Sequence, residues 1–240
     1  MKKTLIPLLA LALSGAAGFH AQAQETVTSV NAVGMVMVEI NRGEMHLLSV
    51  PFDLAQGEMT AEELFGMDLP YGTSIFSWND SSQTYQSNTF RQGFFGQPDN
   101  WSAPTLKYSL GTGFFAKIPS NASQESYQIV FSGEVPGGEQ YSEVQISLNS
   151  GNLYLLGFKY PVSVMVSDSS FGFDPSYGDT IFVWNPGLGY QSSTYRQGFF
   201  GQPDSWSNPN LTINPGQGFF VKTTQTKEWV ATKNDFYFWP

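Results

Sequence analysis

Two segments of this chain gather side chains that can do chemistry. "FRQGFFGQPDNWS" runs from Phe90 to Ser102, and "YRQGFFGQPDSWS" from Tyr195 to Ser207, 105 positions later. Each offers a guanidinium (Arg91, Arg196), two carboxamides (Gln92 and Gln97, Gln197 and Gln202), a carboxylate (Asp99, Asp204) and an indole (Trp101, Trp206). Planar apolar faces beside such polar groups suit a sugar, whose C–H face stacks on a ring while its hydroxyls take hydrogen bonds. Two copies would make a bivalent glycan binder. The same letters also have a packing reading, as a loop filled by its own aromatics. Gly93, Gly96, Gly198 and Gly201 then supply turns, while Phe94, Phe95, Phe199 and Phe200 fill the core. Trp101 and Trp206 close one end of each unit, and each arginine pairs with the aspartate eight positions on. A third reading is self-association through this surface.

Other chemistry is thinly represented. The chain has no cysteine, which removes disulfides, thiolate metal sites and a cysteine nucleophile. Beyond residue 23 the one histidine is His46, next to a strand-like apolar run, so serine-histidine catalysis and two-histidine metal sites lack their parts. Asp99 and Asp204 recur in separate units, and their spacing gives no support for the paired carboxyls of a glycosidase. No phosphate loop, dinucleotide fingerprint, calcium loop or nucleophile elbow is present. The expectation is a non-catalytic protein without cofactor or metal.

The start of the chain, with Lys2, Lys3, an apolar run from Leu5 to Leu13 and Ala21-Gln22-Ala23, reads as a secretory signal peptide cleaved after Ala23. The expected location is extracellular or the outer cell surface. Nothing beyond it is long and apolar enough for a transmembrane helix. The remaining 217 residues carry nine Lys and Arg against 20 Asp and Glu, a net charge of −11. Such a surface repels phosphate backbones, which argues against nucleic acid as a partner and leaves the chain itself or a surface glycan.

The elements that hold these segments are also written twice. "YGTSIFSWN" (71–79) matches "YGDTIFVWN" (177–185) at an offset of 106, "SLGTGFFAK" (109–117) matches "NPGQGFFVK" (214–222) at 105, and "RGEMHLLSV" (42–50) matches "SGNLYLLGF" (150–158) at 108. The offset changes by one where "DSSQT" gives way to "PGLG", turn formers between two aromatic runs, which predicts a hairpin loop. A unit of about 105 residues exceeds a solenoid repeat, so the chain divides into residues 1–23, a first β domain over 24–133 and a second over 134–240. Val144, Ile146 and Leu148 alternate with polar neighbours, as do Tyr127, Ile129 and Phe131, with the period of half-buried strands. "TAEELFG" carries one helix signal, a capping box of Thr60 and Glu63 with Gly66 as the stop. The fold expected is all-β: two tandem homologous β-sandwich or partly open barrel domains, with at most one short helix in each. Ser132–Gln140 reads as a short bending connection. The terminal segments "VTSVNAVGMVMVEI" and "EWVATKNDFYFWP" are candidates for strands added to a neighbouring subunit, with Phe236, Phe238 and Trp239 otherwise closing the second unit.

"NLYLLGFKYPVS", "DTIFVWN" and "NPGQGFFVK" together resemble an all-β repeat module of secreted and cell-surface proteins of Gram-negative bacteria, with the pattern N-L-I-G-N-P, I-Y-x-W-N, P-G-Q-G-F-F-V. The likeness covers both units. It departs at the first element, where Phe158-Lys159-Tyr160-Pro161 and Ser49-Val50-Pro51 replace Asn-Pro. The resemblance implies a structural, adhesive or surface-associated protein and brings no catalytic residues to transfer.

Overall fold

A computed structural model of the protein describes residues 32–137 and 143–236. The signal segment, Gly138–Gln140 of the connection, and Phe238 and Trp239 lie outside the described residues. The first unit contains β1 (Val33–Asn41), β2 (Met45–Ser49), β3 (Glu58–Thr60), α1 (Ala61–Phe65), β4 (Ser74–Asn79), β5 (Thr84–Arg91), β6 (Asn100–Trp101), β7 (Lys107–Ser109), β8 (Gly113–Lys117) and β9 (Ser126–Glu134). The second repeats the order with β10 (Glu143–Leu148), β11 (Leu153–Gly157), β12 (Val164–Met165), β13 (Thr180–Asn185), β14 (Gly189–Arg196), β15 (Ser205–Trp206), β16 (Thr212–Ile213), β17 (Gly218–Lys222) and β18 (Lys227–Thr232). Strand order repeats too: β2-β8-β4-β5-β6 in one five-stranded sheet and β11-β17-β13-β14-β15 in the other, each with two small paired sheets. All pairs are antiparallel. The fold is all-β and sandwich-like, and among the described residues no sheet closes into a barrel.

Local signals account for most elements. Val144 and Leu148 are buried while Gln145 and Ser147 are exposed, as the alternation requires. In α1 the Thr60 hydroxyl accepts from the Glu63 amide, and the Glu63 carboxylate accepts from the Thr60 amide at 2.7 Å. The second unit has a 3₁₀ turn at Ser169–Phe171 in that place, ended by Gly172 in the left-handed region. The terminal segments differ from expectation. Val33–Asn41 pairs within the chain to β9, and Lys227–Thr232 to β10. Phe236 follows a 3₁₀ turn and packs on Phe158 and Tyr160, with ring centroids 5.2 Å away in both cases.

The inner strands β8 and β17 of the five-stranded sheets are buried on both faces. Phe114 and Ile75 point into the first unit's own core and Phe219 and Ile181 into the second's, while Leu47, Phe115, Leu155 and Phe220 form a third cluster shared by both. The two units therefore pack against each other rather than swing on the connection. Their contacts are reciprocal. The Trp78 indole donates to the Leu153 carbonyl at 2.7 Å, and Trp184, its repeat partner, donates to Met45 at 2.7 Å. The Ser49 amide donates to Gly216 and the Gly157 amide to Gly111, both at 2.8 Å. Every pair maps onto the other by the repeat offsets, so the units meet about a pseudo-two-fold axis, as subunits meet in an isologous dimer.

One clamp breaks the symmetry. The first hairpin turn is a residue longer, and Gln83 sits there at φ 53. Its amide accepts from Leu153 N–H at 2.8 Å and donates to the Leu153 carbonyl at 3.1 Å, across the seam. The shorter turn opposite makes no such bond among the described residues. Beside it, burial pushes the Asp80 carboxyl up to about 6 from 3.8. The folded state thus holds this proton more tightly than the unfolded chain, and stability falls as pH rises from about 4 through 6. A rise of that size corresponds to roughly 3 kcal/mol; the side chain is half-exposed, and screening reduces this to about 1 kcal/mol. Asp80→Asn is expected to raise the melting temperature by about 2–4 °C at pH 7 and to leave it unchanged at pH 3. An equal gain at both pH values would refute the assignment.

Candidate functional site

The duplicated loops leave the far ends of β5 and β14 and return as β6 and β15. Three of their shared letters are explained by the loop's own architecture. A Cβ on Gly93 would lie 1.9 Å from the Gln97 carbonyl oxygen, and on Gly198 1.8 Å from that of Gln202, so only glycine fits. Asp99 accepts from the Gly93 amide at 2.8 Å and from the Tyr71 hydroxyl at 2.6 Å; Asp204 accepts from Gly198 at 2.9 Å and from Tyr177. In each case the glycine amide first and the tyrosine second hold the carboxyl below its usual value. The hydroxyls of Ser102 and Ser207 accept from the amides of Thr89 and Thr194 at 2.9 Å.

The tryptophans are the anchors. Trp101 is 2% exposed and Trp206 7%. Trp101 packs on Phe65 and Phe90 and donates to the Gly66 carbonyl at 3.3 Å; Trp206 packs on Tyr195 and Phe173. Neither presents the ring face expected for a ligand, because β6 and β15 turn the indoles inward against the aromatic pair of each strand end.

The phenylalanines correct the packing reading in the opposite sense. Phe94 and Phe95 are 75% and 95% exposed, Phe199 and Phe200 74% and 98%. They fill no core. Each pair caps a four-residue turn closed by Gln97 N–H to Phe94 and Gln202 N–H to Phe199, both 3.1 Å. The central residues have positive φ, Phe95 at 51° and Gly96 at 80°, Phe200 at 52° and Gly201 at 82°. Glycine or asparagine belongs at the first of these positions; a bulky aromatic there is an outlier that costs about 1 kcal/mol. The chain bears that cost twice, and both times the ring faces solvent. The arginines are corrected as well: Arg91 and Arg196 are exposed and, among the described residues, pair with no carboxylate, since Asp99 and Asp204 are held by glycine and tyrosine. Gln92, Gln97, Gln197 and Gln202 are exposed around the same tips.

Sequence reasoning missed a second feature. At the seam, Tyr85 and Tyr190 stand 49% and 51% exposed and separate two apolar grooves. One, of about 430 Å³, is lined by Leu153, Phe182 and Phe220 with Lys222 at its edge. The other, of about 440 Å³, is lined by Met45, Phe76, Phe115 and Trp184. Leu153, Phe182 and Phe220 correspond to Met45, Phe76 and Phe115, so the grooves are copies related by the pseudo-two-fold. Burial, then the neighbouring Tyr85 phenol, pushes Tyr190 up to about 12. The available signal was the repeated "WN…Y" hairpin, whose tyrosines at Tyr85 and Tyr190 follow each turn at matching positions.

Among the described residues no three His, Asp or Glu side chains cluster to hold a metal, and no helix is long and apolar enough to cross a membrane. No family model, curated protein or solved structure matches this chain.

Proposed function

We propose that the protein is a secreted, non-catalytic structural or adhesive component of the cell surface or extracellular matrix, and that the two Phe-Phe tips make its contacts. One observation carries this reading. Within the duplicated loop, glycine, aspartate and serine hold the loop and tryptophan anchors it to the core, whereas the phenylalanines are held out in water, Phe95 and Phe200 at a backbone conformation that disfavours them. An exposed outlier that serves no packing points to a contact outside the fold. The alternative, a bivalent glycan binder using Arg91, Gln92, Gln97, Asp99 and their copies, would have to stack its sugar on these phenylalanines, since Trp101 and Trp206 are buried.

The test is a quadruple variant, Phe94→Ser, Phe95→Asn, Phe199→Ser and Phe200→Asn. Asparagine tolerates the left-handed region, so the variant is expected to melt at the parent's temperature or above it, with about 1 kcal/mol gained at each turn. Sedimentation should show the parent forming larger species as concentration rises and the variant staying monomeric. A parent that stays monomeric throughout, with no retention on surfaces, refutes the reading; glycan-array binding lost in the variant favours the alternative.

A further inference from the structure

The tips are exposed apolar knobs and the grooves are open apolar hollows lined by aromatic rings. We propose that a Phe-Phe tip of one copy seats in an aromatic groove at the seam of a second copy, so that the chain polymerises knob into groove. This rests on the reading of the tips as contact elements and names what they touch.

Three observations select a second copy as the occupant. The first is number: among the described residues there are two tips and two such grooves, and one pseudo-two-fold relates both pairs. The second is reach. Tyr85 and Arg91 are six residues apart on β5, about 20 Å along a strand, as are Tyr190 and Arg196 on β14. The grooves sit at the Tyr85–Tyr190 seam and the tips lie beyond the arginines, so no tip folds back into its own molecule. The third is area. A buried aromatic side chain removes about 150–250 Å² from water, so one tip contributes about 300–500 Å² and two tips about 600–1000 Å². A stable interface needs about 800 Å² from each partner, so two copies must exchange a tip each to be held firmly.

A reciprocal exchange of tips is an isologous contact, but it uses one tip and one groove of each copy. Two copies that exchange one tip each still hold one free tip and one free groove apiece, and the assembly extends rather than closes. The strained turn keeps the knob fixed before contact, which lowers the ordering cost of docking. A lipid surface is the less suitable occupant: it would leave the concave grooves unused and meet a strongly acidic protein.

The experiment compares the parent, the tip variant above and a groove variant, Tyr85→Ser/Tyr190→Ser, by sedimentation, with near-ultraviolet circular dichroism to confirm folding. Each variant alone is expected to require a roughly 100-fold higher concentration to associate than the parent does. Mixed together, they should bind one another, since one keeps its grooves and the other its tips. If the groove variant associates like the parent while the tip variant does not, the grooves are not the acceptor and the proposal falls, though the tips remain contact elements. If both variants associate like the parent, the functional reading falls as well. A parent that stays monomeric but floats with neutral phosphatidylcholine vesicles places the tips in a bilayer and overturns the proposal. Should the groove variant fail to fold, a cyclised peptide spanning Arg91 to Asn100 replaces it: inhibition of the parent's association supports the proposal, and no inhibition with the peptide at about 100 times the parent's own association midpoint overturns it.

Discussion

Asp179→Ala is expected to destabilise the protein by about 3–5 kcal/mol at pH 7, a fall in melting temperature of about 6–20 °C. Asp179 is fully buried immediately before β13. Its carboxylate accepts from Lys227 Nζ at 2.6 Å, Thr224 N–H at 2.7 Å, the Thr224 hydroxyl at 2.8 Å and Ser176 N–H at 2.8 Å. Removing it strands a mostly buried ammonium and two backbone amides, and an unpaired buried charge costs more than the pair contributed. Lys227 keeps its bonds to the Asp174 carbonyl and Ser176 and its place 5.1 Å above the Phe173 ring, which limits the loss. Asp179→Ala/Lys227→Met should therefore recover part of the stability.

The pH dependence gives an independent check. Burial works to raise the Asp179 carboxyl, but Lys227 and the Ser176 and Thr224 donors outweigh it and hold it below its ordinary 3.8. The stabilisation is complete above that value and is lost as pH falls through the depressed one. The gap between parent and variant should be wide at pH 7 and narrow towards pH 2. Equal melting temperatures at pH 7 would show that the ion pair does not hold this unit together.

Phe115→Ala and Phe220→Ala, each alone, should cost about 3–5 kcal/mol, and together they should uncouple the two units. The rings are 3% exposed, their centroids 6.1 Å apart, and each meets the opposite unit's tryptophan: Phe115 with Trp184 at 6.0 Å, Phe220 with Trp78 at 6.2 Å. The parent should melt in one calorimetric transition, because the shared cluster belongs to both sheets. The double variant should melt in two, because each unit keeps its own core of buried aromatics. The two losses will not add, since the side chains touch. A single transition at the parent's temperature would mean that the seam carries little energy.

Much of this architecture was legible in the sequence because it is local. Alternation in Val144–Leu148, the Thr60–Glu63 cap and the turn formers between paired aromatic runs each fix a short piece of backbone on their own. The triplet Gly-Phe-Phe shows where that stops. In Gly113-Phe114-Phe115 the rings are 0% and 3% exposed; in Gly93-Phe94-Phe95 they are on the surface. The following residues decide: Ala116-Lys117 continue a strand, whereas Gly96-Gln97-Pro98 cannot. That contrast was readable from the flanks. The burial of Trp101 and Trp206 was one of the readings open there, and the loop alone could not decide it, because it depends on Phe65 and Phe173, which arrive from distant parts of the chain. The seam was not readable. An unbroken apolar run such as "GFFVK" announces burial on two faces, but says nothing of what covers the second.

The pseudo-two-fold seam has an evolutionary and kinetic meaning. A chain whose halves meet as the subunits of a symmetric dimer looks like a dimer that gained a tether, and tethering removes dilution as a way to dissolve the interface. Once joined, the halves no longer had to remain identical, because a substitution in one was not copied into the other. The Asp179–Lys227 pair, with Thr73 at its counterpart position, and the Gln83 clamp, with a shortened turn opposite, record that freedom. The phenylalanine tips record its limit.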